Sequence, residues 1–448
     1  MAEPRLLTPS WSVRLPGRTV RQVLTVAALA VVVVLFLLAL AARHGFFDLR
    51  VYYGALNHWV HDGGELYDYY LPKSTYGFTY PPFAALMMLP MTITGWPIAM
   101  VISVTMAVLG TSALLYWLVD PIARRQGWTR WYAFAIAACL AAAFEPLRET
   151  VNFGQVNLLL VFLVAADLIL FVGRGSRLGG LGIGLATAIK LTPGIFIVYL
   201  LVTKRWRAAL VASATAAAAT ILAAAVAPDA SRIFWTDAVW NTDRVGAVAF
   251  ISNQSIYGAV ARLHPADPNA VLWLLGLATV VGIWLVRVRR AAAAGDELTG
   301  FALTGVLGCL MSPITWVHHL VWVGPALILV LDNALATRLR RRRIALLVFF
   351  AGAYALLCSR LVWEFNERWD NPVGWLLASS YVWVSIALLV ALPIRGRRGG
   401  DTDGVPHLGE LDRELAGLLD RDRADLAVGD ESPPLVEGPR PGVTLQHP

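Results

Sequence analysis

An all-α, polytopic integral membrane protein is the fold class this sequence predicts, on three observations. Of its 448 residues, 57% are hydrophobic and only 15% are charged, against about 45–50% and about 25% in soluble domains. Mean hydropathy is +0.61. The apolar residues gather in runs of about 20, the length that crosses a bilayer as a helix, with Lys and Arg concentrated in alternate loops. This balance excludes a soluble globular enzyme, a disordered chain and a disulfide-stapled module. Cys139, Cys309 and Cys358 lie inside apolar runs, at spacings that fit neither a zinc site nor a disulfide framework.

The first span is Val23–Ala42, led by Arg14, Arg18 and Arg21. Its apolar run is too long for a cleaved signal, so it is expected to stay as an anchor. Further spans are expected near 97–119, 131–145, 156–172, 208–227, 271–287, 298–314, 316–333, 344–360 and 375–394. Pro81–Thr94 is short and is expected to dip into the membrane without crossing. Leu181–Thr203 has basic residues at both ends, so a single crossing would violate the charge rule. Two half-helices meeting at Lys190-Leu-Thr-Pro193 satisfy it, because Pro193 has no amide hydrogen to continue a helix. About 10–13 membrane segments are expected in all.

Lys and Arg also set orientation. The N-terminus and the loops around Arg124, Arg174, Lys204, Arg287, Arg340 and Arg395 hold 23 basic residues, and the opposite loops hold 9. Both termini are therefore expected in the cytoplasm. The net charge of +7 divides into +14 over residues 1–398 and −7 over 399–448. The expected organisation is a cytoplasmic segment 1–22, an embedded domain 23–394 in contact with membrane lipids, and an acidic, largely disordered cytoplasmic tail 395–448. Positive charge in an embedded body reports orientation and lipid contact, and no nucleic acid partner is expected.

The outer loops carry the unusual polar residues. After the first span, Leu49, Tyr52, Leu56 and Trp59 recur at helical spacing, which describes an amphipathic helix on the outer surface. Asp48 stands at its start. It can cap the helix, or act as a general base on a sugar hydroxyl brought within hydrogen-bond reach. Asn152, Gln155 and Asn157 precede a span; they can bind sugar hydroxyls or join helices. Lys190 sits in an apolar run, where an ionisable group is a functional-site candidate. Its partner is a phosphate entering from the bilayer or, structurally, Asp167. Arg244, Asn253 and Gln254 lie in the third outer loop. His318 and His319 end Ser312-Pro-Ile-Thr-Trp-Val-His-His319; as chain neighbours they point apart, a poor chelating pair, and no metal site is expected. Asp401-Thr-Asp403 and Asp420-Arg-Asp422 imitate a nucleotide-sugar metal motif but sit in the polar tail, so they read as solvated charge.

Several of these pieces occur together and in order: Asp48-Leu-Arg-Val-Tyr52, Leu66-Tyr67, Phe78-Thr-Tyr-Pro-Pro-Phe83, Asn152-Phe-Gly-Gln-Val-Asn157, Ile189-Lys-Leu-Thr-Pro193, Asn253-Gln254 and Ser312 to His319. This series resembles glycosyltransferase family 87, and within it the polyprenyl-phosphate-mannose-dependent α-1,2-mannosyltransferases of actinobacteria. The resemblance implies a GT-C fold with its active site at the outer membrane face. It implies an inverting transfer of mannose from a polyprenyl-phosphate-mannose donor to the 2-hydroxyl of a mannosylated lipid acceptor, of phosphatidylinositol mannoside or lipomannan type. Asp48 then corresponds to the family's catalytic aspartate. No cofactor or metal is implied. In that frame Lys190, His318, His319 and Arg244 are candidates for the donor phosphate. Asn152, Gln155, Asn157, Asn253 and Gln254 are candidates for sugar hydroxyls, and Tyr52, Tyr80 and Trp316 for sugar faces. The alternatives are a relative using another polyprenyl-phosphate sugar such as arabinofuranose, and a transporter of lipid-linked sugars.

Overall fold

The computed structural model describes residues 17–40, 44–241 and 246–395. The tail readings, including its aspartate motifs, lie outside these residues, as does Arg244. Among the described residues there are helices and loops but no extended sheet.

Among the described residues, six helices are long and apolar enough to cross a membrane: Arg18–Ala39, Trp96–Arg125, Trp206–Val226, Ala270–Ala293, Val317–Ala336 and Arg340–Ser359. Two further candidates are bent pairs. Glu145–Phe153 meets Asn157–Val172 at 116°, and Pro372–Ala378 meets Ser380–Ala391 at 67°. Four shorter apolar helices complete the set, Pro82–Ile93, Arg130–Ala143, Thr192–Val202 and Glu297–Met311. The expected 10–13 segments are reached only if these short helices count as membrane elements beside the long ones. Each expected span coincides with one of these elements.

Two faces of the bundle follow from the same apolar composition. Glu297–Met311 is central: Leu303, Leu307 and Leu310 are completely buried. Trp206–Val226 and Ala270–Ala293 instead leave Leu210, Ile221 and Leu275 exposed. A bundle whose outer surface is leucine and valine is built for a hydrocarbon solvent.

At the basic-loop end, buried carboxylates organise the arginines. Asp120 pairs with Arg124 and Arg130 at 2.7 Å each. Asp332 receives Arg125, and Arg395 at 2.6 Å. Burying these carboxylates is tolerable because each has charged partners. The network joins the C-terminal ends of Trp96–Arg125 and Gly324–Ala336 to Arg395, the last described residue.

Local breaks position the candidate residues. Leu181–Ile189 ends at Lys190, which is extended (φ −150, ψ 133). The short turn Thr192–Gly194 follows, then Ile195–Val202. The expected break at Lys190–Pro193 is therefore present. Asp167 does not pair with Lys190. Its carboxylate accepts Gly180 N at 2.8 Å and Ile183 N at 2.9 Å, sealing the start of Leu181–Ile189.

Helix Phe47–Val60 corrects two expectations. Its apolar stripe faces the protein, not the membrane surface, with Leu49, Ala55 and Leu56 almost wholly buried. Asp48 is not its cap: the N-cap position is Phe46, held at φ 57, with no side-chain capping bond. The carboxylate is thereby free to point elsewhere.

Candidate functional site

A cavity of about 580 Å³ has Asp48 and Lys190 both in its wall. Tyr52, Tyr80, Gln155, Trp316, His318 and His319 also line it.

Asp48 stands at the end of a directed hydrogen-bond chain. Tyr52 donates to the Tyr80 hydroxyl at 3.0 Å, and Tyr80 donates to Gln155 Oε1 at 2.5 Å. Gln155 then has only its amide hydrogens left on that side. Its Nε2 donates to Asp48 Oδ2 at 2.7 Å. The chain fixes one carboxylate oxygen and leaves Oδ1 without a protein hydrogen bond among the described residues. Burial pushes the Asp48 carboxyl from 3.8 up to about 6, against the lowering effects of Gln155, Lys190 and His44. A base with such a value is ionised at neutral pH yet binds a proton readily. Burial raises the Tyr80 phenol well above its ordinary range, so it stays a donor.

Gly154 shapes this arrangement. It ends Glu145–Phe153 at φ +71, and a Cβ there would lie 2.6 Å from Leu49 Cβ. Glycine is required twice over, by the left-handed backbone and by the close approach of the two helices. Gly154→Ala is expected to destabilise the protein by about 1–3 kcal/mol, read as a lower thermal midpoint in detergent. An unchanged midpoint would mean that the two helices part freely.

Across the cavity, Lys190 Nζ donates to Asn157 Oδ1 at 3.1 Å and lies 3.4 Å from the Tyr80 hydroxyl. It also lies 2.9 Å from His319 Nε2. That last contact is informative. The backbone N–H of Trp316 donates to His319 Nδ1 at 3.1 Å, so Nδ1 is the acceptor and neutral His319 carries its hydrogen on Nε2. Two donors, Nζ and Nε2, then face each other with no acceptor between them. An anionic oxygen seated there would accept from both. His318 adds to this. Its carbonyl is held by Thr150 Oγ1 at 2.8 Å and Asn157 Nδ2 at 3.2 Å. Its Nε2, by contrast, is buried without a hydrogen-bond partner, and such atoms call for an explanation. The rings of His318 and His319 stand at 88°, which leaves them unsuited to chelate one ion. Among the described residues no cluster of three or more His, Cys, Asp or Glu is placed to hold a metal.

Not every sequence candidate reaches the cavity. Asn253 and Gln254 are fully buried and bind backbone: Asn253 Nδ2 donates to Val248 O and Pro313 O, and Gln254 Nε2 to Ile251 O and Ala378 O. They staple their loop to its neighbours, so their expected role with sugar hydroxyls is corrected to a structural one. Asn157 is also buried behind the wall, where it holds Lys190 and His318. Asn152 is not in the cavity lining; its carbonyl accepts Phe46 N at 2.9 Å. Sequence reasoning also missed lining residues. His44, Phe153 and Trp363 all line the cavity. Trp363 is oriented by its Nε1 donating to buried Glu145 at 2.7 Å. No motif marked it; only its place in an aromatic-rich loop could have.

The model of glycosyltransferase family 87 matches residues 78–313. The chain is 32% identical over 362 residues to the polyprenol-phosphate-mannose-dependent alpha-(1-2)-phosphatidylinositol mannoside mannosyltransferase of Mycobacterium tuberculosis, covering 77% of this chain and 83% of that one. It is 33% identical over 337 residues to the corresponding phosphatidylinositol pentamannoside mannosyltransferase of Mycolicibacterium smegmatis, covering 72% and 80%. It is 25% identical over 365 residues to an alpha-(1->3)-arabinofuranosyltransferase of Corynebacterium glutamicum, covering 78% and 83%. No solved structure matches.

Proposed function

The chain belongs to glycosyltransferase family 87, and on that premise we propose that this membrane enzyme moves mannose from a polyprenyl-phosphate donor to the 2-hydroxyl of a mannose on a lipid acceptor, inverting the anomeric carbon. The acceptor is a phosphatidylinositol mannoside or a lipomannan-type glycolipid. The observation that carries this reading is the cavity itself: an open carboxylate oxygen on Asp48 shares one chamber with two converging donors on Lys190 and His319.

In this mechanism Asp48 Oδ1 accepts the proton of the acceptor hydroxyl as its oxygen bonds to the donor's anomeric carbon. The bond from that carbon to the phosphate oxygen breaks, and the phosphate leaves with the electron pair. Lys190 Nζ and His319 Nε2 donate to its oxygens, and His318 Nε2 has no competing protein partner. Aiming fixed donors at the charge that develops on a leaving group is the main electrostatic device open to such a site. Holding both lipid-anchored reactants in one cavity supplies much of the rest. Tyr52, Tyr80, Trp316 and Gln155 line the space between and are assigned to the sugars.

The basic-residue asymmetry supports a cavity on the outer face, with both termini in the cytoplasm. The embedded unit 23–394 then carries the chemistry between the short segment 1–22 and the tail 395–448.

The test is transfer by the purified protein in detergent, with polyprenyl-phosphate-mannose and a phosphatidylinositol mannoside. A new glycolipid with an α-(1→2) bond is the expected product. Transfer only from a polyprenyl-phosphate-arabinofuranose donor would move the enzyme to the other branch of the family. No product from either donor, with a folded protein, would overturn the reading. Detergent also removes the sealed compartments that transport needs, so any product excludes a pure transporter.

A further inference from the structure

We propose that His44 is a substrate-positioning residue: buried Glu149 and the stacked Phe153 ring fix how its imidazole faces the cavity, and its other ring nitrogen accepts a hydroxyl of the acceptor sugar beside Asp48. The inference rests on the mannosyl-transfer reading and deepens it.

Glu149 is fully buried on the helix Glu145–Phe153. Its Oε2 lies 2.7 Å from His44 Nε2, and its Oε1 lies 3.8 Å from Arg360 Nη1. The His44 contact lacks the angle of a normal hydrogen bond, and neither Nε2 nor the Glu149 oxygens has a hydrogen-bond partner. It is electrostatic: a nitrogen lone pair facing a carboxylate at this distance is repelled, so the neutral ring favours its hydrogen on Nε2. The lone pair of the neutral ring is then on Nδ1. Nε2 is enclosed, whereas His44 lines the cavity, and Nδ1 has no protein partner among the described residues. The ring is also fixed in plane. It stacks on Phe153 with centroids 4.1 Å apart and 18° between planes. Phe153 in turn packs its ring against His318 at 5.2 Å and against Phe47 at 6.5 Å.

This is more orientation than a loop histidine needs for packing alone. A charged partner holds one nitrogen, an aromatic face holds the ring, and the other nitrogen is left as a bare acceptor. A third group that fixes the tautomer of a histidine is the usual way to commit its second nitrogen to a ligand. His44 and Asp48 are four residues apart and share the cavity wall, with Asp48 dedicated to the nucleophilic hydroxyl. His44 is therefore assigned to a neighbouring hydroxyl of the same sugar, which would select acceptors and hold the nucleophile in line.

The test couples protein to substrate. Octyl α-mannoside and its 3-, 4- and 6-deoxy analogues serve as acceptors, with polyprenyl-phosphate-mannose as donor, for wild type and for His44→Phe. Wild type is expected to discriminate about tenfold against one deoxy analogue, as expected for one lost hydrogen bond. His44→Phe is expected to raise the KM of the parent mannoside by a similar factor, leave the donor KM unchanged, and lose that one discrimination. His44→Asn, which places an amide near the Nδ1 position, is expected to restore part of it and guards against misfolding. If folded His44→Phe keeps the full discrimination, the inference is wrong and His44 is structural. Failure of wild type to transfer to any mannoside or glycolipid would instead sink the mannosyl-transfer reading beneath it.

Discussion

Asp48→Asn is expected to lower transfer by about 10²–10⁴-fold, the range that positioned base catalysis contributes, while the protein still folds and binds donor. The substitution is close to isosteric, so the cavity keeps its shape. The Gln155 contact can persist, because the new amide still offers an oxygen to Gln155 Nε2. What disappears is an oxygen that can bind a proton. The decisive measurement is the rate at saturating donor and acceptor, beside donor affinity measured separately. A variant that turned over at the native rate would remove Asp48 from the chemistry.

The pH profile carries the same assignment from another side. The carboxyl is raised to about 6, and the base must be ionised, so the rate is expected to fall as pH drops through about 6. In Asp48→Asn the residual rate should lose that acid limb. Stability runs the opposite way. A carboxyl raised from 3.8 to about 6 binds its proton more tightly in the folded state. Its contribution favours folding at low pH and is lost as pH rises through that window. At neutral pH the ionised, half-buried Asp48 costs up to about 3 kcal/mol, less whatever solvent screening returns. Asp48→Asn is therefore expected to match or exceed the native thermal midpoint at pH 7.5, with the advantage shrinking toward pH 4. An inactive variant that is also more stable is what a residue kept for chemistry predicts.

The parts of this molecule that were legible in advance are those set by solvent. Every span was readable because hydrocarbon demands long apolar runs, and the break at Lys190 was readable because Pro193 cannot donate. Asp48, Lys190 and the histidine pair stood out because polar groups are costly where they sit. Direction was the part that periodicity could not give. The stripe on Phe47–Val60 showed that one face is covered, but protein rather than lipid covers it. Gln155, Asn253 and Gln254 are equally polar in sequence. Only tertiary contacts send Gln155 into the cavity and turn the other two onto backbone carbonyls. His44 gave no signal of its own, since its meaning depends on a carboxylate 105 positions away in the chain.

Lys190→Met is the second substitution with a large expected effect, and it separates binding from base catalysis. Hydrogen bonds to charged groups are each worth about 1.5–3 kcal/mol, so donor affinity is expected to fall by roughly 10–100-fold. Methionine keeps most of the apolar stem, which limits the packing loss. Lys190 makes no ion pair in the protein among the described residues; its closest contacts are Asn157, His319 and Tyr80. Removing it therefore orphans no buried carboxylate, and the protein should remain folded. The opposed donors sharpen the prediction. Nζ and Nε2 face each other at 2.9 Å with hydrogens on both, a repulsive arrangement that a phosphate oxygen converts into two charge-assisted bonds. Binding of polyprenyl phosphate, the leaving product, should then stabilise wild type against heat far more than it stabilises Lys190→Met. Equal stabilisation of both proteins would place the phosphate elsewhere, and with it the direction in which the sugar is delivered to Asp48.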